Sequence, residues 1–153
     1  MLIRFNQEIV VNFEHRNFIS LVGRTGLYFI FLGSLSIPYP FQNSRLIYIG
    51  MSGSRINSIG KRLKDHFSGK SNNKGIYGYK NRWGLKFTYL DSEFLKHVFP
   101  TFSVEKIETY FLENFSEVYG SYPICNNRRG NNEVRDLKKN QEPIKVDWQF
   151  YEE

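Results

Sequence analysis

The sequence contains one cysteine, Cys125, and three histidines among 153 residues. A single cysteine excludes an internal disulfide and fits a reducing compartment. So few sulfur and imidazole donors argue against a structural zinc site, which needs four such ligands. No apolar run approaches the ~20 residues of a membrane-spanning helix. The first eleven residues carry Arg4 and Glu8 inside their apolar pattern, unlike a secretory leader. A soluble, intracellular protein is therefore expected. The glycine-rich stretch Gly23-Arg24-Thr25-Gly26 lacks the Lys-Ser/Thr ending of a phosphate-binding loop and reads as a turn. No helix-turn-helix signature, zinc-finger spacing or internal repeat marks a separate nucleic-acid-reading domain.

Acidic residues are scarce in one place. Between Arg55 and Lys86 stand nine basic residues (Arg55, Lys61, Arg62, Lys64, Lys70, Lys74, Lys80, Arg82 and Lys86) against the single acid Asp65. That segment carries a net +8 in a chain of net +6, so the rest sums to −2. A local excess of this size attracts polyanions, although a solvated lysine-rich face has the same composition. The chain as a whole is 41% apolar, which suits one compact domain over residues 1–153.

Periodicity outlines the elements. Residues 2–13 alternate loosely and read as one or two short strands. Leu27 to Leu32 and Arg45 to Gly50 are short apolar runs bounded by Gly, Pro and Ser, the pattern of paired strands. The intervening Gly33 to Ser44, with two prolines, predicts a long hairpin loop. From about Arg55 to Phe67, Ile56, Ile59, Leu63 and Phe67 form one helical stripe, with Ser52 or Ser54 as the capping residue. Arg62 and His66 lie together on its flank at i, i+4. Ser68 to Arg82, rich in Gly, Asn, Lys and Tyr, reads as an exposed loop whose Tyr77 and Tyr79 have two uses, stacking on bases or packing the loop down. Trp83 to Leu90 reads as a third strand, and Asp91 to Pro100 as a short helix ending before the proline.

The clearest helix spans Ser103 to Tyr119, with Ser103 as N-cap and Gly120 as C-cap. Its apolar face takes in Val104, Ile107, Phe111, Leu112, Phe115, Val118 and Tyr119. At 100° per residue Glu108 falls inside that face, Glu105 at its edge and Glu113 opposite, toward water. A carboxylate among core residues needs compensation, from an Arg or Lys partner or from a metal ion. Arg128 to Gln141 is polar and basic. Ile144 to Tyr151 alternates and reads as a last strand, suited to pairing with the N-terminal one. The fold class expected is α+β: a small antiparallel sheet of the hairpin plus a third strand, flanked by helices, with extra N- and C-terminal strands.

Gly26-Leu27-Tyr28, then Tyr48-Ile49-Gly50, then Arg62 and His66 four residues apart on a helix, resemble in order the motifs of the GIY-YIG nuclease superfamily. Tyr122-Pro123-Ile124-Cys125-Asn126 resembles the family's Pro-x-x-Asn segment. The resemblance covers residues 22–128, leaving 1–21 and 129–153 as extensions. Its one departure is the 20-residue separation of Tyr28 and Tyr48, longer than the family's usual interval.

The resemblance implies a metal-dependent DNA endonuclease that hydrolyses phosphodiester bonds to 5′-phosphate and 3′-hydroxyl ends. It assigns Tyr28, Tyr48, Arg62, His66, Glu108 and Asn126 to catalysis, with Glu108 as the ligand of one Mg²⁺ or Mn²⁺ ion. One carboxylate can suffice for such an ion, because Mg²⁺ keeps several waters. Arg62 offers a planar, permanently charged fork to the scissile phosphate. Tyr28 or Tyr48 would act as general base or position the water, and His66 would take or relay the proton. Arg55, Lys61, Lys64, Lys70, Lys74, Lys80, Arg82 and Lys86 would track the DNA backbone. The rival reading is a non-catalytic nucleic-acid-binding module that keeps the fold and the basic patch.

Overall fold

Seven consecutive buried residues, Gly26–Leu32, form the central strand β3, and their period of two sends alternate side chains into two different cores. A computed structural model describes residues 1–6, 9–126 and 144–152. Two short strands, β1 (Leu2–Ile3) and β2 (Val11–Asn12), and the helix α1 (His15–Ile19) precede β3. After it come β4 (Ile37–Pro38), β5 (Asn43–Ser44), β6 (Leu46–Ser52) and α2 (Ile59–Ser68). Then follow α3 (Lys74–Arg82), β7 (Leu85–Asp91), α4 (Ser92–Val98) and α5 (Val104–Tyr119). The chain closes with β8 (Lys145–Val146) and a 3-10 turn over Trp148–Tyr151.

The main sheet runs β2-β7-β3-β6, every neighbour antiparallel. One face packs on α5 and the C-terminal turn through Leu27, Phe29, Phe31, Leu46 and Ile49. The other packs on α2 and α3 through Tyr28, Ile30, Ile47, Ile59, Leu63 and Ile76. The architecture is α+β, with helices on both faces of a small antiparallel sheet. Among the described residues, no helix is long and apolar enough to cross a membrane.

Several local expectations are corrected. The long hairpin loop folds on itself as the β4–β5 ribbon. Helix α2 starts at Ile59, because Ser58 caps it by accepting a hydrogen bond from the Lys61 N–H; Ile56 is 83% exposed and lies outside the stripe. Ser54 instead closes the preceding turn, its Oγ accepting from the Ile56 and Asn57 N–H groups. The expected loop at 68–82 contains α3. Gly75 and Gly78 weaken helix propensity there, but Asn73 caps the helix and Ile76 buries completely beneath it. The last strand is only two residues long. It pairs with β1 in parallel before Trp148 and Tyr151 turn inward. Arg128 to Gln141 lies outside the described residues.

Candidate active site

The two tyrosines meet because of strand register. Across the β3–β6 pair, Ile30 faces Tyr48 and Tyr28 faces Gly50, so both phenols leave the sheet on the α2 side. An irregularity between Ile30 and Phe31 accommodates one extra residue of β6 just before this point. Gly50 is required by contact: a Cβ there would collide with the Tyr28 ring. Gly26 is held just as tightly, its missing Cβ leaving room for the Leu90 carbonyl at φ 144°. The ring centroids of Tyr28 and Tyr48 lie 6.0 Å apart.

Helix α2 brings Arg62 and His66 to these rings. The Tyr28 hydroxyl lies 2.9 Å from His66 Nε2, and Arg62 Nε donates to the same oxygen at 3.3 Å. His66 Nδ1 lies 2.8 Å from Ser71 Oγ, which also accepts from the Asn73 N–H. With the His66 proton on Nδ1, Ser71 accepts it and Tyr28 donates to Nε2; with the proton on Nε2, both directions reverse. Tyr28 is completely buried and His66 is 3% exposed. Burial, then the nearby Arg62 charge, pushes the His66 pKa down to about 4, so the ring is neutral at pH 7. Burial, reinforced by Tyr48, pushes the Tyr28 phenol far above its ordinary range, and Arg62 only partly opposes this.

In front of this chain opens a pocket of about 270 Å³. Tyr48, Arg62 and His66 form one side; Asn57, Lys61, Asp65, Ser71 and Asn73 form the rest. Tyr48 is half-buried and meets the pocket, whereas Tyr28 stands behind it. The Lys61 ammonium holds Asp65 at 2.9 Å. Ser71 and Asn73 belong to no sequence motif. The only hint of their role is the Ser-Asn-Asn cluster that ends one helix and starts the next, a cluster read above as loop composition.

Asn126 sits at the open edge of β6. Its side chain accepts from the Ile49 N–H at 3.0 Å and donates to the Ile49 carbonyl at 2.8 Å. With the Cys125 N–H bonding the Ile47 carbonyl, it binds the segment after α5 along the strand that carries Tyr48. Asn126 does not line the pocket; it holds the strand that does.

The acids of α5 differ from expectation at one position. Glu108 is buried at 3% exposure, as its place on the apolar face requires, and Glu105 is exposed. Glu113 is also buried, at 7%, where water was expected, while Val118 is 38% exposed. The wheel of one helix assumes one covered face; here the segment after the helix folds back and covers a second. Tyr122 of that segment donates to Glu113 Oε1 at 2.6 Å. Neither Glu108 nor Glu113 borders the pocket, and no described cluster of three His, Cys, Asp or Glu side chains offers a ready metal cage. As hard-oxygen donors, both buried carboxylates suit Mg²⁺ or Mn²⁺ chemically. Glu113 is tied, through Tyr122, to the segment that Asn126 fixes beside Tyr48.

The basic residues divide in two. Arg55, Lys61, Lys64, Lys70, Lys74 and Arg82 are exposed, Lys61 being paired with Asp65, and Lys86 is half-buried on β7. Lys80 is not free to track a backbone: its ammonium donates to the Phe67 carbonyl at 2.9 Å and lies over the Phe67 and Tyr77 rings. Compared with protein-family models, with curated proteins and with solved structures, the chain matches none.

Proposed function

We propose that the protein is a metal-dependent DNA endonuclease of the GIY-YIG type. The observation that carries this reading is the chain Tyr28–His66–Ser71 behind a pocket walled by Tyr48 and Arg62. Buried polar groups in such an array cost stability unless they are paired, and this one is paired toward a single open cleft.

The residues divide the work. Arg62 projects a cation into the pocket for the scissile phosphate and, through Nε, orients the Tyr28 phenol. Tyr48 is the phenol that meets the attacking water, since Tyr28 has no exposed surface. With its proton on Nδ1, neutral His66 accepts the Tyr28 proton at Nε2 while Ser71 holds Nδ1–H, so the two buried groups form a proton acceptor behind Tyr48. Asn126 keeps the Tyr48 strand in register with the rest. A divalent ion would be held by Glu108, the ligand the resemblance implies; neither it nor Glu113 borders the pocket, so none of these steps is routed through the ion.

The test is cleavage of single-stranded, duplex and branched DNA with Mg²⁺ or Mn²⁺, with the ends of the products identified. Expected are 5′-phosphate and 3′-hydroxyl ends, and no cutting in a chelator. If every substrate binds and none is cut, the protein is the non-catalytic binding module instead.

A further inference from the structure

The outer face of α3 combines features that neither the sheet nor the α2 pocket requires. A shallow groove of about 320 Å³ lies over Gly75 and Gly78, between Lys74, Tyr79, Arg82 and Trp83, although a Cβ at Gly75 would meet Cys125 Sγ. A Cβ at Gly78 would meet nothing within 4 Å, so that part of the groove is open. Trp83 is 42% exposed although it is one of only two tryptophans in the chain. Its ring leans on that of Tyr79, with centroids 5.6 Å apart and planes at 38°, which holds it in place. Lys74 and Arg82 are exposed at either end of the groove, and neither forms an ion pair with a described residue.

An aromatic ring fixed beside a groove and flanked by cations is complementary to unpaired bases on a phosphate backbone. The ring stacks on any base, and the cations take the phosphates on either side. A duplex offers no such bases, because its own are stacked inside. The groove and the candidate active site share no lining residue but meet along the chain: Asn73, which caps α3, lines the Tyr48/Arg62 pocket, and its neighbour Lys74 lines the groove.

We propose that α3 is a stacking shelf for a single-stranded segment of the DNA substrate, with Trp83 as the residue on which a base rests. The inference rests on the nuclease reading for its substrate class. It assigns that substrate an unpaired stretch next to the scissile phosphate, as in a single strand, a flap or an overhang.

Tryptophan fluorescence in a chelator tests the shelf without cleavage, because Trp148 is 3% exposed and serves as an internal reference. An oligo-dT strand is expected to quench the Trp83 emission, whereas a blunt duplex of equal length leaves it unchanged. Trp83→Phe removes the quenchable component. Trp83→Ala weakens binding of a labelled single strand, read by anisotropy, by between about fivefold and a hundredfold. Both variants melt near the wild-type temperature, as an exposed ring allows. Three results would overturn the proposal: saturating single strand leaves Trp83 emission unmoved, duplex quenches it equally, or Trp83→Ala binds the single strand at wild-type affinity. The cleavage assay keeps the two readings apart. DNA cut by a protein whose Trp83 stays silent removes the shelf alone, and a quenched Trp83 with no cutting removes the hydrolase alone.

Discussion

The two faces of the central sheet receive equally buried residues from β3 and treat them differently. Leu27, Phe29 and Phe31 enter a core of rings from α5 and the C-terminal turn, where Phe115 meets Trp148 edge to face and stacks on Tyr119, and Phe31 meets Tyr151 edge to face. Tyr28, one residue along the same strand, enters a face that carries a hydroxyl–imidazole–hydroxyl chain and an arginine. The first face repays burial mainly with apolar contact, its polar atoms being chiefly the tips of rings such as Tyr39, Tyr119 and Trp148 bonded at the edges. The second encloses a connected chain of polar groups beside an open pocket, the arrangement on which the nuclease proposal rests. Substitutions on the two faces should therefore fail differently.

The widest separation is expected between Arg62→Lys and Phe111→Ala. Lysine keeps the charge but loses the planar fork and the Nε donor to Tyr28, so turnover should fall roughly 10²- to 10³-fold with the fold intact. Removing the Phe111 ring should cost about 3–5 kcal/mol of stability. Parallel DNA-cleavage rates and urea unfolding curves check both, and near-wild-type turnover in Arg62→Lys would make this face ordinary packing.

The α5 carboxylates sharpen the contrast, since they lie on the apolar side. Metal-dependent stabilisation, read as a rise in melting temperature with Mn²⁺, should disappear in Glu108→Gln, the ligand the resemblance implies, and persist in Glu113→Gln. Glu105→Gln should behave as wild type, its side chain being exposed. Loss in Glu113→Gln alone would move the ligand to the carboxylate that Tyr122 holds.

His66 gives the polar face a pH signature. Its folded pKa, about 4, lies below the ordinary value of 6.5, so between these two pH values the unfolded chain binds the extra proton. Stability is thus fully present above pH 6.5 and is lost as pH falls toward 4, by up to roughly 3 kcal/mol. Denaturant midpoints of wild type and His66→Gln at pH 7 and pH 4.5 check this; the difference between the proteins should shrink at the lower pH.

The smallest effect is expected at Ser71. Ser71→Ala should lower turnover about fivefold, the worth of one hydrogen bond, and Ser71→Thr should restore it. The acid limb of the pH–rate profile should shift in the alanine variant, because His66 Nδ1 has lost its partner. An unmoved profile would make Ser71 merely a cap of the turn before α3.

Much of the architecture was legible because it depends on local period. The apolar runs at 27–32 and 46–50, the Ser103 and Gly120 caps and the 16-residue α5 follow from spacing and capping chemistry. So does the placement of Arg62 and His66 on one flank of one helix, and the burial of Glu108. Tertiary structure decided what depends on partners distant in the chain. Helix α3 forms against propensity because Ile76 has a core to enter and Asn73 a carbonyl, that of Cys125, to bond. Glu113 is buried because Tyr122 returns over a helix face that looked exposed in isolation. The surroundings of Tyr28 and Tyr48 differ because the sheet and α2 seal one phenol and leave the other at the pocket wall. A one-dimensional period records which residues share a face. It does not record which face another segment will cover, because that coverage comes from contacts whose partners lie tens of residues away.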